Sequence, residues 1–316
     1  MKIAFHSNSL SFRGSDNALW DYAVFNESKL GNQSVICHPE KPASWEPEVS
    51  ARWEKRFPLV SYRNKFELQK KIKALGADLL YQIKPGPFDG FMVPGIRNAI
   101  HAMFLSDEFH GDRFAYVSRW ASRVMTGHET SFVPHVVPRL ASEETLRALL
   151  GIPEKARVFG RHGATDTFNI PFVQGVVLRH AKNHPEDHFV FLNTKRFGPS
   201  RVPPNIHFLP GTPDPREKAK FLATCDAMLH ARLHGETFGL AVGEFAVLGK
   251  PVITYGGSRE RAHLEMLGRH ALTYATDHQL QRRLDDFQPG LVCGSEYETW
   301  ADAAQVMRLF FEKFLA

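Results

Sequence analysis

Short apolar runs and amphipathic stretches alternate along the whole chain, beginning at its first residues. "KIAFHS" is apolar enough for a strand. It is followed by "SFRGSDNALWDYAVFNESKLG", a polar, glycine-bearing turn and then Leu19, Tyr22, Ala23 and Phe25 at helical spacing. "QSVIC" predicts a second strand, "FELQKKIKALG" an amphipathic helix stopped by Gly76, and "ADLLYQI" a third strand running into the loop "KPGPFDG". "IRNAIHAMF" and "RFAYVS" continue the pattern as strands. Alternation of this kind is what a parallel sheet covered by helices produces.

A proline-punctuated stretch, "FVPHVVPRLASEETLRALLGIPEKA", interrupts the pattern and reads as a linker around one short helix, with Ser142 placed to cap it and Gly151 to stop it. The alternation then restarts. "RVFGRHG" is a strand leaving into a loop, "PFVQGVVLRHAKNH" a helix opened by Pro171, and "HFVFLN" a strand. "NIHFLPG", "PREKAKFLATC", "AMLHAR" and "PVITYGG" carry it on as strand, helix, strand and strand. The terminal "YETWADAAQVMRLFFEKFLA" lines up Trp300, Ala303, Met307, Phe310, Phe311 and Phe314 as one apolar stripe that needs a packing partner. The expected class is α/β, with two Rossmann-like doubly wound domains facing a central cleft. The expected boundaries are an N-terminal domain over 1–140, a linker over 141–156, a second domain over 157–297, and a C-terminal helix over 298–316 that can pack back on the first domain.

Composition narrows the function classes. With 316 residues the chain has ample length for two cores, and at 43% hydrophobic and 23% charged it is ordinary for a globular protein. No apolar run approaches the ~20 residues of a membrane span, and the N-terminus reads as a first strand rather than a signal peptide. Cys37, Cys225 and Cys293 are far apart and form no CxxC pair, which speaks against a disulfide framework or thiolate zinc site and fits a reducing cytoplasm. The formal charge of +5 is spread without a like-charge block, so nucleic acid is not required. An anionic small substrate, or peripheral contact with an anionic membrane face, explains the excess as well.

"HGETFGLAVGE" poses the sharpest question. Glu236 and Glu244 are eight residues apart, which on one helix leaves them roughly 80° apart around the axis, a poor arrangement for two surface carboxylates. "AMLHAR" is strand-like and "GLAVGEFAVLGK" helical, so the helix is expected to begin near Thr237 or Phe238 with Glu236 just before it. The amides of Thr237, Phe238, Gly239 and Leu240 then form an anion site at the positive end of the helix, with Gly239 removing a side chain that would hinder approach.

These residues carry a resemblance. "RLHGETFGLAVGEFAVLGKPVITYGGS" resembles the E-x7-E segment of GT-B-fold retaining glycosyltransferases of glycosyltransferase family 4. The linker with "ARVFGRHG", the stretch "NIHFLPGTPDPREKAKFLATCDAML" and the piece "AYVSRW" agree with that family's order. The likeness is good over residues 132–258 and faint before them. It implies a nucleotide-sugar donor, with Glu244 accepting from ribose hydroxyls, Glu236 contacting donor-sugar hydroxyls, the Thr237 to Leu240 amides binding diphosphate, and Arg161 serving as a phosphate-binding cation. The family's lysine five residues after that arginine is Asp166 here, which leaves Lys195 or Arg196 to supply a second cation.

The resemblance also points to Gly14 in the first loop, near donor phosphates, and to His101 as a donor-sugar contact; Lys84, at another strand end in "QIKPGPFDG", reads either as facing the acceptor or as a solvated loop lysine. It implies transfer with retention to a carbohydrate or lipid-linked acceptor, without a metal or other cofactor. An epimerase, a phosphorylase or a non-catalytic nucleotide-sugar-binding protein are alternatives on the same fold. "SDEFHGD" lacks a recognised ligand spacing, and His180 and His184, four apart on a helix, have no evident third ligand, so no metal site is expected.

Overall fold

The computed structural model describes all of residues 1–316. The chain divides into two compact units, one of Met1–Val136 with Asp302–Ala316 and one of Val137–Ala301. In the first unit β1 (Lys2–His6), β2 (Gln33–Pro39), β3 (Leu59–Tyr62), β4 (Leu79–Lys84), β5 (Arg97–Ala102) and β6 (Arg113–Tyr116) make one six-stranded parallel sheet, in the order β3-β2-β1-β4-β5-β6. Its helices are α1 (Gly14–Leu30), α2 (Pro47–Glu54), α3 (Lys65–Ala74) and α4 (Arg119–Thr126).

The second unit opens with α5 (Arg147–Leu150), β7 (Val158–Arg161), α6 (Pro171–Asn183), β8 (His188–Leu192), β9 (Ile206–Leu209), α7 (Pro215–Thr224) and β10 (Ala227–His230). It continues with β11 (Gly235–Glu236), α8 (Leu240–Ala246), β12 (Val252–Tyr255), β13 (Glu260–Arg261), α9 (Ala262–Leu267), β14 (Ala271–Tyr274) and α10 (Asp277–Asp285). The main sheet is again parallel and six-stranded, in the order β14-β12-β10-β7-β8-β9, and β11 pairs separately with β13. Each sheet is doubly wound, with its order reversing beside its first strand: between β1 and β4, and between β7 and β10. At such a reversal the flanking connections leave toward opposite faces, which opens a crevice beyond the carboxyl ends of the two strands.

Helices on both faces explain why the central strands read as continuous apolar runs. All of β4 and β8 is buried, and Phe159, Phe189 and Phe191 pack with Val173, Val176 and Val177 of α6. Several local expectations shift. Ser142 closes a turn by accepting from the Glu144 amide at 3.0 Å, and the short helix starts only at Arg147, ending at Gly151 in the left-handed conformation. The terminal stripe is divided: Trp300 is buried in the second unit, whereas Met307 and Phe310 of α11 (Ala303–Phe310) and Phe314 beyond it are buried in the first, against Phe5, Tyr22 and Tyr81. Phe311 stands 47% exposed, outside the stripe.

Candidate functional site

Each of the two glutamates of the motif lies beside a histidine from a different strand end, Glu236 hydrogen-bonded to His230 and Glu244 in charge contact with His162. β10 ends in His230, and β7 is followed at once by His162, so the two imidazoles come from the pair of strands that flank the order reversal. His230 Nε2 donates to Glu236 Oε1 at 3.2 Å, and His230 Nδ1 accepts from the Thr254 hydroxyl at 2.9 Å. Arg232 Nη1 donates to Glu236 Oε2 at 2.6 Å. Burial pushes the Glu236 carboxyl up, but Arg232 and the neighbouring histidines His230 and His263 outweigh it and bring it down to about 2. The carboxylate is therefore ionised throughout the physiological range.

Glu244 is 1% exposed, on the inner side of α8. Lys218 Nζ, from α7, donates to its Oε1 at 2.6 Å, and His162 Nε2 lies 3.0 Å from Oε2. Burial again raises the carboxyl, and Lys218 and His162 reverse the effect, to about 2. His162 itself is pushed below its ordinary range, chiefly by burial, with Glu244 opposing; its ring stacks on Phe245 and meets Phe221 edge-on. Lys218 is 18% exposed at its side chain, so it is the partner through which the Glu244 cluster meets solvent.

Between the glutamates the backbone departs from the expected course. Glu236 lies on β11, whose register sets Gly235 opposite Glu260 and Glu236 opposite Arg261. Gly235 has φ 80°, and a Cβ there would lie 1.9 Å from the Glu260 carbonyl oxygen, so only glycine fits. The helix begins at Leu240 rather than at Thr237 or Phe238, because Gly239 takes a left-handed conformation (φ 86°, ψ 61°) and caps it. A Cβ on Gly239 would lie 3.0 Å from the Tyr297 hydroxyl and 3.1 Å from Glu236 Cβ. Thr237 and Phe238 precede the helix, both buried, and the Phe238 carbonyl accepts from the Tyr297 hydroxyl. The first-turn amides without helical acceptors thus begin at Leu240.

The other expected site residues sit differently. Arg161 is 3% exposed, and its terminal nitrogens donate to the Asn193 and Ala164 carbonyls at 3.2 and 2.7 Å and to the Thr194 and Thr167 hydroxyls. As placed, it fastens the loops after β7 and β8, and burial lowers it to about 10. Lys195 is exposed on that second loop, with its backbone amide on the Thr165 carbonyl at 2.8 Å, and Asp166 is exposed on the first.

His101 lies in the first unit's core, 0% exposed. Its Nδ1 is 2.6 Å from the Tyr81 hydroxyl and its Nε2 2.9 Å from the Val133 carbonyl, so it presents no accessible atom to a sugar. Lys84 is likewise buried, paired with Asp89 at 2.8 Å. Gly14 is the exposed first residue of α1. Sequence reasoning passed over His162, Lys218, His230 and Arg232. Of these, His230 and Arg232 carried a signal, as polar residues ending and following an apolar strand four to six positions before Glu236.

No family sequence model and no curated protein sequence matches this chain. Solved structures do. Anabaena HepE, crystallised with UDP and glucose, matches over 99% of this chain and 98% of its own at TM-score 0.72 and 16% identity. WaaG, a glycosyltransferase involved in lipopolysaccharide biosynthesis, matches over 96% and 94% at TM-score 0.60 and 15% identity. The fold is GT-B. A candidate UDP-N-acetylglucosamine 2-epimerase from Listeria monocytogenes also shares this architecture, over 99% and 96% at TM-score 0.60 and 11% identity. At these identities the likeness carries the GT-B fold, and the chemistry must be argued from the side chains. No helix is long and apolar enough to cross a membrane.

Proposed function

We propose that this chain is a glycosyltransferase that uses a nucleotide-diphosphate sugar and passes the sugar to a hydroxyl of a carbohydrate or lipid-linked acceptor, with retention and without a metal in the reaction. The observation that carries the reading is a pair of ionised glutamates at the two strand ends of the second sheet's reversal, Glu236 half-buried and held by His230 and Arg232, Glu244 buried and held by Lys218 with His162 beside it. A buried carboxylate accepts hydrogen bonds only, so it selects ligands rich in hydroxyls. Two of them, eight residues apart with a helix start between, match a sugar, a diphosphate and a ribose in series. HepE, on the same fold, was crystallised with UDP and glucose, which supports the donor class.

In this reading Glu236 accepts from donor-sugar hydroxyls, Glu244 from ribose hydroxyls, and backbone amides at Gly239 and Leu240, with Thr237 and Phe238 before them, receive the diphosphate. Glu244 becomes available only as Lys218 yields its place, and the released ammonium is then free to face the diphosphate. This assigns Lys218 the cationic role left open by Asp166, ahead of Lys195. The leaving diphosphate gains negative charge as the glycosidic bond breaks, so these donors act most strongly in the transition state. The acceptor oxygen bonds to the anomeric carbon on the face the diphosphate leaves, which gives retention, and a donor phosphate oxygen takes its proton. The mild basic charge supports peripheral contact with an anionic membrane face inside the cell.

Calorimetric titration with UDP and UDP-glucose tests the reading, followed by product analysis with and without acceptors. Saturable binding and acceptor-dependent products are expected. Conversion of the sugar without any acceptor would favour the epimerase reading instead, and failure of every nucleotide diphosphate to bind would end both.

A further inference from the structure

His180 and His184 lie one turn apart on α6 with no third ligand visible in the sequence, and the fold provides one. α10 packs along α6 and brings Asp285 over both rings, which stack with centroids 4.4 Å apart. Asp285 Oδ1 is 3.6 Å from His180 Nδ1 and 3.9 Å from His184 Nε2. The opposite nitrogen of each ring is on a carboxylate: His180 Nε2 donates to Asp187 Oδ2 at 2.7 Å, and His184 Nδ1 to Glu186 Oε1 at 3.3 Å. Asp187 is itself fixed by Arg157 through Nε at 2.7 Å and Nη2 at 2.5 Å.

These outer carboxylates set the tautomers. With the proton on His180 Nε2 and on His184 Nδ1, the remaining nitrogens are lone-pair donors, and both face Asp285. Carboxylates behind imidazoles orient metal-binding histidines in this way. The Gln281 amide supports the assignment: its Nε2 is 2.8 Å from His180 Nδ1 and 2.9 Å from Asp285 Oδ1, so its two hydrogens point at two acceptors. A tetrahedral zinc with bonds of about 2.0–2.1 Å holds its ligand atoms roughly 3.3 Å apart. The 3.6 and 3.9 Å from Asp285 need to close by about 0.3 and 0.6 Å, and the His184 ring, at 37% side-chain exposure, must swing out of its stack on the buried His180 for both lone pairs to meet one ion.

We propose that His180 Nδ1, His184 Nε2 and Asp285 Oδ1 bind a divalent transition metal, Zn²⁺ by donor set, with Asp187 and Glu186 orienting the imidazoles. The fourth position falls to water or to Gln281 with its amide turned over. Such a metal clamps α10 to α6, and it shares no residue with the Glu236 and Glu244 clusters, so the proposal stands apart from the nucleotide-sugar reading.

The full chain, stripped with a chelator and dialysed, is titrated with zinc chloride by calorimetry and with cobalt chloride by visible absorption. One saturable equivalent, a tetrahedral cobalt spectrum and a higher melting temperature with zinc are expected. His184→Ala and Asp285→Asn, both at partly exposed positions, each weaken binding by at least about tenfold. His278→Ala, an exposed histidine elsewhere on α10, leaves it unchanged. Absence of saturable binding, or undiminished affinity in both of the first two variants, overturns the site.

Discussion

Both units bury a carboxyl near the carboxyl end of their first strand, and the two carboxyls are held by opposite means. Asp16, 3% exposed, accepts from the Ser7, Ser9 and Ser11 hydroxyls at 2.8, 2.9 and 2.6 Å and from the Ser11 amide at 3.0 Å. Those neutral donors do not offset burial, and its pKa is raised. Glu244 is buried as deeply but has a lysine and a histidine, and it is lowered to about 2. The same doubly wound backbone thus gives a loop fastened by hydroxyls in one unit and a fixed negative charge in the other. Topology makes the crevice, and charge compensation decides what it can bind.

The largest expected effect comes from turning the second arrangement into the first. Lys218→Met leaves Glu244 buried with His162 as its remaining partner, which should destabilise the second unit by roughly 3 kcal/mol near pH 8, as breaking a buried pair does. In the native chain Glu236 and Glu244 have folded pKa values below the unfolded 4.5, so their stabilisation is present above that pH and is lost as pH falls toward about 2. In the variant Glu244 moves upward instead, so the deficit should shrink as the pH is lowered to 5. Amide hydrogen exchange across α7 and α8 measures this, with tryptophan fluorescence as a control on the first unit, which holds Trp20, Trp45, Trp53 and Trp120 against Trp300 in the second. Equal protection in variant and native chain at both pH values would mean that Lys218 does not compensate Glu244.

Next in size is Glu236→Ala. A carboxylate that touches the transferred sugar contributes where bonds change, so turnover should fall by about 10- to 100-fold, corresponding to the 1.5–3 kcal/mol of a hydrogen bond to a charged group. Affinity for UDP, which lacks the sugar, should move by less than about threefold. Comparable losses in both would place Glu236 on the nucleotide. Glu244→Ala should show the reverse pattern, with nucleotide affinity falling more than turnover at saturation.

Periodicity showed most of the fold, because parallel strands buried on both faces and amphipathic helices leave strong signals. β4, β8 and α6 lie close to their expected ranges for that reason. What escaped was short or set by tertiary contact. β11 and β13 are two residues each, and nothing local marks Gly235 as the residue that must admit the Glu260 carbonyl. The sequence starts α8 too early because Thr237 and Phe238 are compatible with a helix, and only the left-handed Gly239 forbids it. Partners distant in the chain were equally invisible: Lys218 is 26 residues from Glu244, Asp285 about a hundred from His180, and their meeting depends on helix packing. His101 illustrates the opposite failure, since a histidine near a strand end looks the same in sequence whether it faces a ligand or a tyrosine.

Glycines sharpen the comparison at smaller cost. Gly239→Ala forces a left-handed alanine, roughly 1–2 kcal/mol, and sets its Cβ against Tyr297 and Glu236. Both the melting temperature of the second unit and the turnover should fall, because the displaced groups include the stem of Glu236, the proposed donor-sugar contact. A variant with native melting and native turnover would show that the turn tolerates a side chain, and the tight approach of Gly239 to Glu236 would then carry no consequence.

Gly14→Ala in the first unit should have the smallest effect on stability, and of the opposite sign. Gly14 is already helical, and an added Cβ meets nothing within 4 Å, so alanine removes freedom from the unfolded chain and should stabilise by about 0.4–1 kcal/mol. The resemblance of its loop makes Gly14 a proposed neighbour of donor phosphates. A methyl group there should then lower turnover severalfold while the protein becomes more stable. Denaturant unfolding and steady-state rates on one preparation separate the two terms: a more stable variant with unchanged turnover would remove Gly14 from the proposed site.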